Sequence, residues 1–239
     1  MNRKYHKWYS PSLQRDMELL VFGSGGARVL VFPTSMGRFF QWEDFGMTEA
    51  LSSQLEQGQI QLFCVDSVDG ESFYAKQRPP AERIQRHMQY DSYLHGEVLP
   101  FTKTQNANPY LMTAGASFGA YHAVNFALRH PELVDRTIGL SGLYSIDSFM
   151  DGYSDQDVYF NNPPVFIEHE QDPERLRMLR HIEIILAIGR DDPSCANNES
   201  FSQVLWGEDI WHALRIWDGW AHDWPWWREM IQRYIGGHD

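Results

Sequence analysis

The chain has 239 residues, which suits one α/β domain and is ample for a sizeable core. Lys and Arg number 20 against 32 Asp and Glu, a formal charge of −12. An acidic surface of this kind repels phosphate backbones and excludes nucleic acid as a partner.

The two cysteines, Cys64 and Cys195, form no CxxC pair, so neither a thiolate metal site nor a disulfide framework is indicated. The opening MNRKYHKWYS is basic with no apolar segment behind it and does not read as a signal peptide. Nowhere do 18 apolar residues run together, and no basic amphipathic stretch occurs, so no membrane contact and a cytoplasmic location are expected.

In chain order, DMELLVF (16–22) and ARVLVFP (27–33) are apolar runs joined by Gly23-Ser24-Gly25-Gly26, which reads as an antiparallel hairpin. Short apolar runs follow at 60–66, 109–115, 136–142, 182–189 and 212–219. Near-continuous apolar strands suit a parallel sheet covered on both faces. The expectation is an α/β fold with a mostly parallel central sheet, an antiparallel N-terminal hairpin and helices on both faces. Residues 120–130 carry Ala120, Ala123, Val124, Ala127 and Leu128 at helical spacing, and Pro131 ends that helix. Residues 144–174 hold eight acidic residues, no Lys or Arg, and Asn161-Asn162-Pro163-Pro164 at their centre. They read as an irregular stretch over the sheet's carboxyl edge, part of a lid-like insertion (144–180) within a single domain (1–239). Residues 223–235 begin with a cap-competent Asp223 and a proline in the first turn, and place Trp227, Met230, Ile231 and Tyr234 on one face.

Chemistry concentrates at Gly115-Ala116-Ser117-Phe118-Gly119, a G-x-S-x-G pattern. A chain of this length meets that pattern by chance about one time in ten, given ordinary Gly and Ser usage. Context carries more: a buried strand precedes it and a helix follows, as a nucleophile on a sharp strand-to-helix turn requires. A serine hydroxyl needs a base to take its proton and a third group to orient that base. Downstream, one strand runs into Asp191-Asp192 and the next into Trp220-Ala221-His222. The order Ser117, Asp192, His222 is the one an α/β-hydrolase uses, with each group at the carboxyl end of a strand. Asp191 is the alternative acid. His122 and His130, on the helix after Ser117, read as structural. Seven of the nine tryptophans fall between 206 and 227; Trp220 and Trp224 flank His222 and are read as pocket walls. Asp66 and Asp69 read as loop carboxylates that could face the cleft.

GASFGAYHA, AIGRDDP and WDGWAHDWPWW together resemble the putative-esterase branch of the α/β-hydrolases over residues 16–235. That branch includes S-formylglutathione hydrolases, enterobactin and feruloyl esterases and mycolyltransferases. The resemblance implies a serine carboxylic-ester hydrolase acting on a small-molecule ester or thioester, with no cofactor and no metal. In that branch the strand before the acid ends G-x-x-D, which Gly189 to Asp192 match. It also implies an oxyanion hole built from the Phe118 amide and one from the loop after the second apolar run. Members often carry His-Gly in that loop; this chain has Pro33-Thr34-Ser35-Met36-Gly37, so Ser35 is chosen, with Met36 next. An acyltransferase on the same triad, or a non-catalytic binding module, are the alternatives; the second should lack a triad member. A dinucleotide site at FGSGGAR fails because Arg28 stands where G-x-G-x-x-G needs glycine. No H-E-x-x-H occurs to suggest a metal hydrolase.

Overall fold

The computed structural model describes residues 2–237. Its strands are β1 (Arg3–Ser10), β2 (Arg15–Phe22), β3 (Ala27–Phe32), β4 (Ile60–Val65), β5 (Leu111–Ala116), β6 (Arg136–Leu140), β7 (Glu183–Gly189) and β8 (His212–Trp217). They form one sheet in the order β1-β2-β4-β3-β5-β6-β7-β8. All pairs from β4 to β8 are parallel; β1 with β2, and β2 with β4, are antiparallel.

The antiparallel N-terminal hairpin is present, but its strands are not the expected ones. β1 and β2 form it, and β2 never pairs with β3, because β4 lies between them. The glycine-rich link at 23–26 is therefore a crossover, not a hairpin turn. The physical reason lies in β1, an edge strand largely exposed to solvent, whose RKYHKWYS reads as polar.

Side chains alternate across the sheet. In β3, Val29 and Val31 join the core under the C-terminal helix, whereas Leu30 and Phe32 join the core under the helix Phe118–Arg129. One face is covered by residues 41–56 and the helix Trp224–Tyr234, the other by the helices Pro80–Tyr93, Phe118–Arg129 and Cys195–Gly207. Asp223 caps the last helix, its carboxylate accepting from Trp224 N–H at 2.7 Å.

Residues 144–180 are less irregular than expected. They form four short helices, at Asp147–Met150, Gln156–Phe160, Pro163–Glu168 and Pro173–Leu179. Two of the acidic residues act as N-caps: Asp155 accepts from Val158 N–H, and Asp172 from Glu174 N–H. Side-chain oxygens in these positions satisfy amides that a helix start leaves unpaired. Ile146, Met150 and Val158 pack against Phe73, Phe118 and Tyr121, which seats the segment beside the residue following Ser117.

Candidate active site

Ser117 follows β5 directly and starts the helix Phe118–Arg129. Its backbone has φ 55° and ψ −123°, a region that non-glycine residues avoid. Two flanking glycines permit the turn. A Cβ at Gly115 would lie 2.1 Å from the Gly119 carbonyl oxygen, and one at Gly119 would lie 2.4 Å from that of Pro33. Backbone cannot move aside as a flexible side chain could, so both positions require glycine. The Ser117 N–H donates to the Leu140 carbonyl at 2.8 Å, which ties the turn to the end of β6.

His222 arrives on the loop after β8 and Asp192 on the loop after β7. His222 Nε2 stands 3.1 Å from Ser117 Oγ, and Nδ1 stands 2.6 Å from Asp192 Oδ2. The Asp192 side chain is 1% exposed, and its other oxygen accepts from Ser194 N–H at 2.8 Å. Asp191, the alternative acid, is exposed, while its N–H donates to the Gly219 carbonyl. The three residues chosen from the sequence are thus brought into one hydrogen-bonded line, with Asp192 as the acidic member.

The imidazole is enclosed by indoles. Trp220 stacks on it with ring centroids 5.6 Å apart, and Trp227 meets it edge-on at 5.3 Å. Trp220 is 53% exposed, so it forms an outer wall beside the histidine. Trp224, the other expected wall, is partly buried and makes no ring contact with His222 itself. It stacks on Phe45 at 4.3 Å and packs edge-on to Trp227, bracing the helix start.

Two supports were absent from the sequence reading. Ser141 Oγ–H donates to the Ala221 carbonyl at 3.0 Å and accepts from Trp227 Nε1–H at 3.0 Å. Ser141 is buried at the end of β6 and so fixes the residue before His222. The only available signal was its place at a strand's carboxyl end. The second support is the pair of Asp69 and His122, whose Oδ1 and Nε2 lie 2.8 Å apart; Asp66 and Asp69 are both buried, so neither is an ordinary loop carboxylate or a cleft-facing one.

For the oxyanion, the Phe118 and Ser35 amides have no hydrogen-bond partner among the described residues. Met36, the second choice, has an occupied amide: its N–H donates to Asp69 Oδ2 at 3.0 Å. Among the described residues there is no cluster of three or more His, Cys, Asp or Glu able to hold a metal, and no helix long and apolar enough to cross a membrane.

The sequence model of the family described as "Putative esterase" matches residues 10–235. No curated protein matches the chain. Among solved structures, a ferulic acid esterase is similar with 16% identity and a TM-score of 0.78, over 98% of this chain and 96% of that one. An S-formylglutathione hydrolase from Agrobacterium tumefaciens has 17% identity and a TM-score of 0.76, over 98% and 93%. A CE1 ferulic acid esterase from Anaeromyces mucronatus has 14% identity and a TM-score of 0.73, over 98% and 89%. At such identities the likeness establishes the fold.

Proposed function

The chain belongs to the putative esterase family and is a carboxylic ester hydrolase, and on that premise we propose that it works through Ser117, His222 and Asp192 on a small ester or thioester. The observation that carries this reading is the line from Asp192 Oδ2 through His222 to Ser117 Oγ, with contacts of 2.6 and 3.1 Å.

In the proposed reaction His222 Nε2 takes the proton of Ser117 Oγ as that oxygen attacks the substrate carbonyl carbon. Asp192 accepts from Nδ1–H and stabilises the imidazolium. Charge develops on the former carbonyl oxygen, which the Phe118 and Ser35 amides receive as donors fixed in advance. Collapse breaks the bond to the leaving oxygen or sulfur, and His222 returns its proton to that group. Water then attacks the acyl-Ser117 ester by the same route and releases the acid. The start of the Phe118–Arg129 helix lies beside Ser117, and its positive end favours the developing anion. Trp220, stacked on His222, suits an acyl group with a flat or apolar face. Thioester and aromatic-acid substrates are the first to try, because structurally similar proteins are named as an S-formylglutathione hydrolase and ferulic acid esterases.

The test is a panel of p-nitrophenyl acetate, a feruloyl ester and S-formylglutathione, run on wild type and Ser117→Ala. Turnover of at least one substrate is expected, with a fall on the order of 10⁴–10⁶ in the variant. A fluorophosphonate probe should label Ser117. Undiminished turnover in Ser117→Ala, or labelling elsewhere, would overturn the reading.

A further inference from the structure

The loop after β3 is held to the segment after β4 by four side chains. Ser35 Oγ meets Tyr74 Oη at 2.7 Å. Met36 N–H donates to Asp69 Oδ2 at 3.0 Å. Ser67 Oγ–H donates to the Gly37 carbonyl at 2.9 Å. Asp66 Oδ1 accepts from Arg38 Nε–H at 2.7 Å and from Phe39 N–H at 3.3 Å.

The Asp69 contact differs from the rest in what it restrains. Met36 is 57% exposed yet has φ 54°, a left-handed conformation that a non-glycine residue on the surface has no packing reason to keep. Asp69, by contrast, is 1% exposed. Its second oxygen, Oδ1, lies 2.8 Å from His122 Nε2, and His122 is itself buried. His122 sits on the helix that Ser117 begins. One buried carboxylate therefore links the loop bearing Ser35 to the helix bearing the nucleophile. Burying a carboxylate is unfavourable unless its hydrogen bonds are met, and an apolar residue would fill the space more cheaply. The arrangement makes sense where a fixed loop position matters more than stability.

We propose that Asp69 is a positioning residue: clamped by His122, it fixes the Met36 amide and so sets the adjacent Ser35 N–H relative to Ser117. This rests on the ester-hydrolase reading above. Asp69 touches no reacting atom, and its effect would appear in the oxyanion-forming step.

The experiment compares wild type, Asp69→Ala and Asp69→Asn by ester turnover and by amide hydrogen exchange over residues 33–38. In Asp69→Ala, kcat should fall at least about tenfold, towards the 10²–10³ that loss of one oxyanion donor costs, with KM within about twofold. Exchange at Met36 should quicken. Asp69→Asn keeps an oxygen for Met36 N–H, and its amide can donate to the other tautomer of His122; it should restore most of both readouts. Wild-type kcat in folded Asp69→Ala would overturn the proposal, as would a loss of turnover in both variants with exchange over 33–38 unchanged. If Asp69→Ala does not fold, Asp69→Ser, whose single hydroxyl is too short to bridge Met36 N–H and His122, takes its place with the same expected and overturning results. Exchange is independent of turnover, so a wild type without esterase activity would defeat the functional reading separately from the loop assignment.

Discussion

Replacing Asp192 with asparagine should disable the enzyme without unfolding it. Asp192 uses both oxygens: Oδ1 accepts from Ser194 N–H at 2.8 Å and Oδ2 from His222 Nδ1–H at 2.6 Å. Asparagine offers one oxygen and one NH₂. The Ser194 amide can only donate, so the oxygen must stay there. The NH₂ then faces His222, whose Nδ1 can accept if the ring adopts its other tautomer. That tautomer carries hydrogen on Nε2, the atom 3.1 Å from Ser117 Oγ, and so cannot take the serine proton. Every hydrogen bond survives, but the base points the wrong way. The expected loss in kcat is about 10⁴, or about 5.4 kcal/mol at 1.36 kcal/mol per decade. KM should change little, because no substrate contact is removed. Asp191→Asn is the control: Asp191 is exposed, and turnover should stay within about threefold of wild type. The assay is steady-state hydrolysis of p-nitrophenyl acetate, with circular dichroism to check folding. A loss for Asp191→Asn equal to that for Asp192→Asn, or an Asp192→Asn kcat within tenfold of wild type, would refute the assignment.

Three further outcomes follow from the same geometry. Gly119→Ala forces a Cβ to 2.4 and 2.6 Å from the carbonyl oxygens of Pro33 and Phe32; it should destabilise by about 3 kcal/mol and lower turnover, read from the urea midpoint and kcat. An unchanged midpoint would mean the elbow and β3 are less tightly apposed. Ser117→Gly should be more stable than Ser117→Ala by about 1 kcal/mol, because relief of strain at φ 55° outweighs the entropy glycine adds to the unfolded chain. That corresponds to roughly 2–4 °C in Tm, and the reverse order would contradict the strained backbone. His87 is held down to about 3 by burial, with the neighbouring His122 adding to the effect. Below about pH 6.5 the unfolded chain binds a proton at this histidine that the folded state refuses. Its contribution to stability is therefore complete above pH 6.5 and falls by about 1.4 kcal/mol per pH unit as the pH drops towards 3. His87→Leu should flatten the decline of the urea midpoint between pH 7 and 5; an unaltered slope would show that His87 takes up its proton in the folded state.

The parts of the fold that were legible are those where burial acts on every residue. Strands β3, β4 and β5 are buried along nearly all their length, so their sequences are mostly apolar runs broken by single polar residues. Elements with one face in water, or with a polar inward face, were harder to see. β1 mixes charges and aromatics because it is an exposed edge. The helix Cys195–Gly207 buries Asn198, Phe201, Ser202 and Leu205, a correct helical spacing that is half polar. The helix Pro80–Tyr93 turns Arg83, His87 and Asp91 inward together with Ile84 and Tyr90. A scan for apolar periodicity passes over both. The helices of 144–180 are hidden for a related reason: part of their acidity is capping, which resembles a solvated loop when read one residue at a time.

The proposed triad could be picked out in the sequence because Ser117, Asp192 and His222 each follow a visible strand, and the proposed chemistry restricts the residue type. Its supports could not, because backbone makes most of them. Ser117 N–H donates to the Leu140 carbonyl, Ser141 N–H to Ala187, and Asp191 N–H to Gly219. Each loop is thus bonded to the end of a neighbouring strand or its loop, from β5 across to β8. Peptide groups of any sequence can make these bonds, so no residue type advertises them. Side chains add to this at two places around the site. The residue before His222 is held by Ser141, and the loop with Ser35 by Asp69 acting from the His122 helix. At these two places a distant, buried polar residue stands in for a strand neighbour. They are accordingly where substitution far from the reacting atoms should change turnover before it changes the fold.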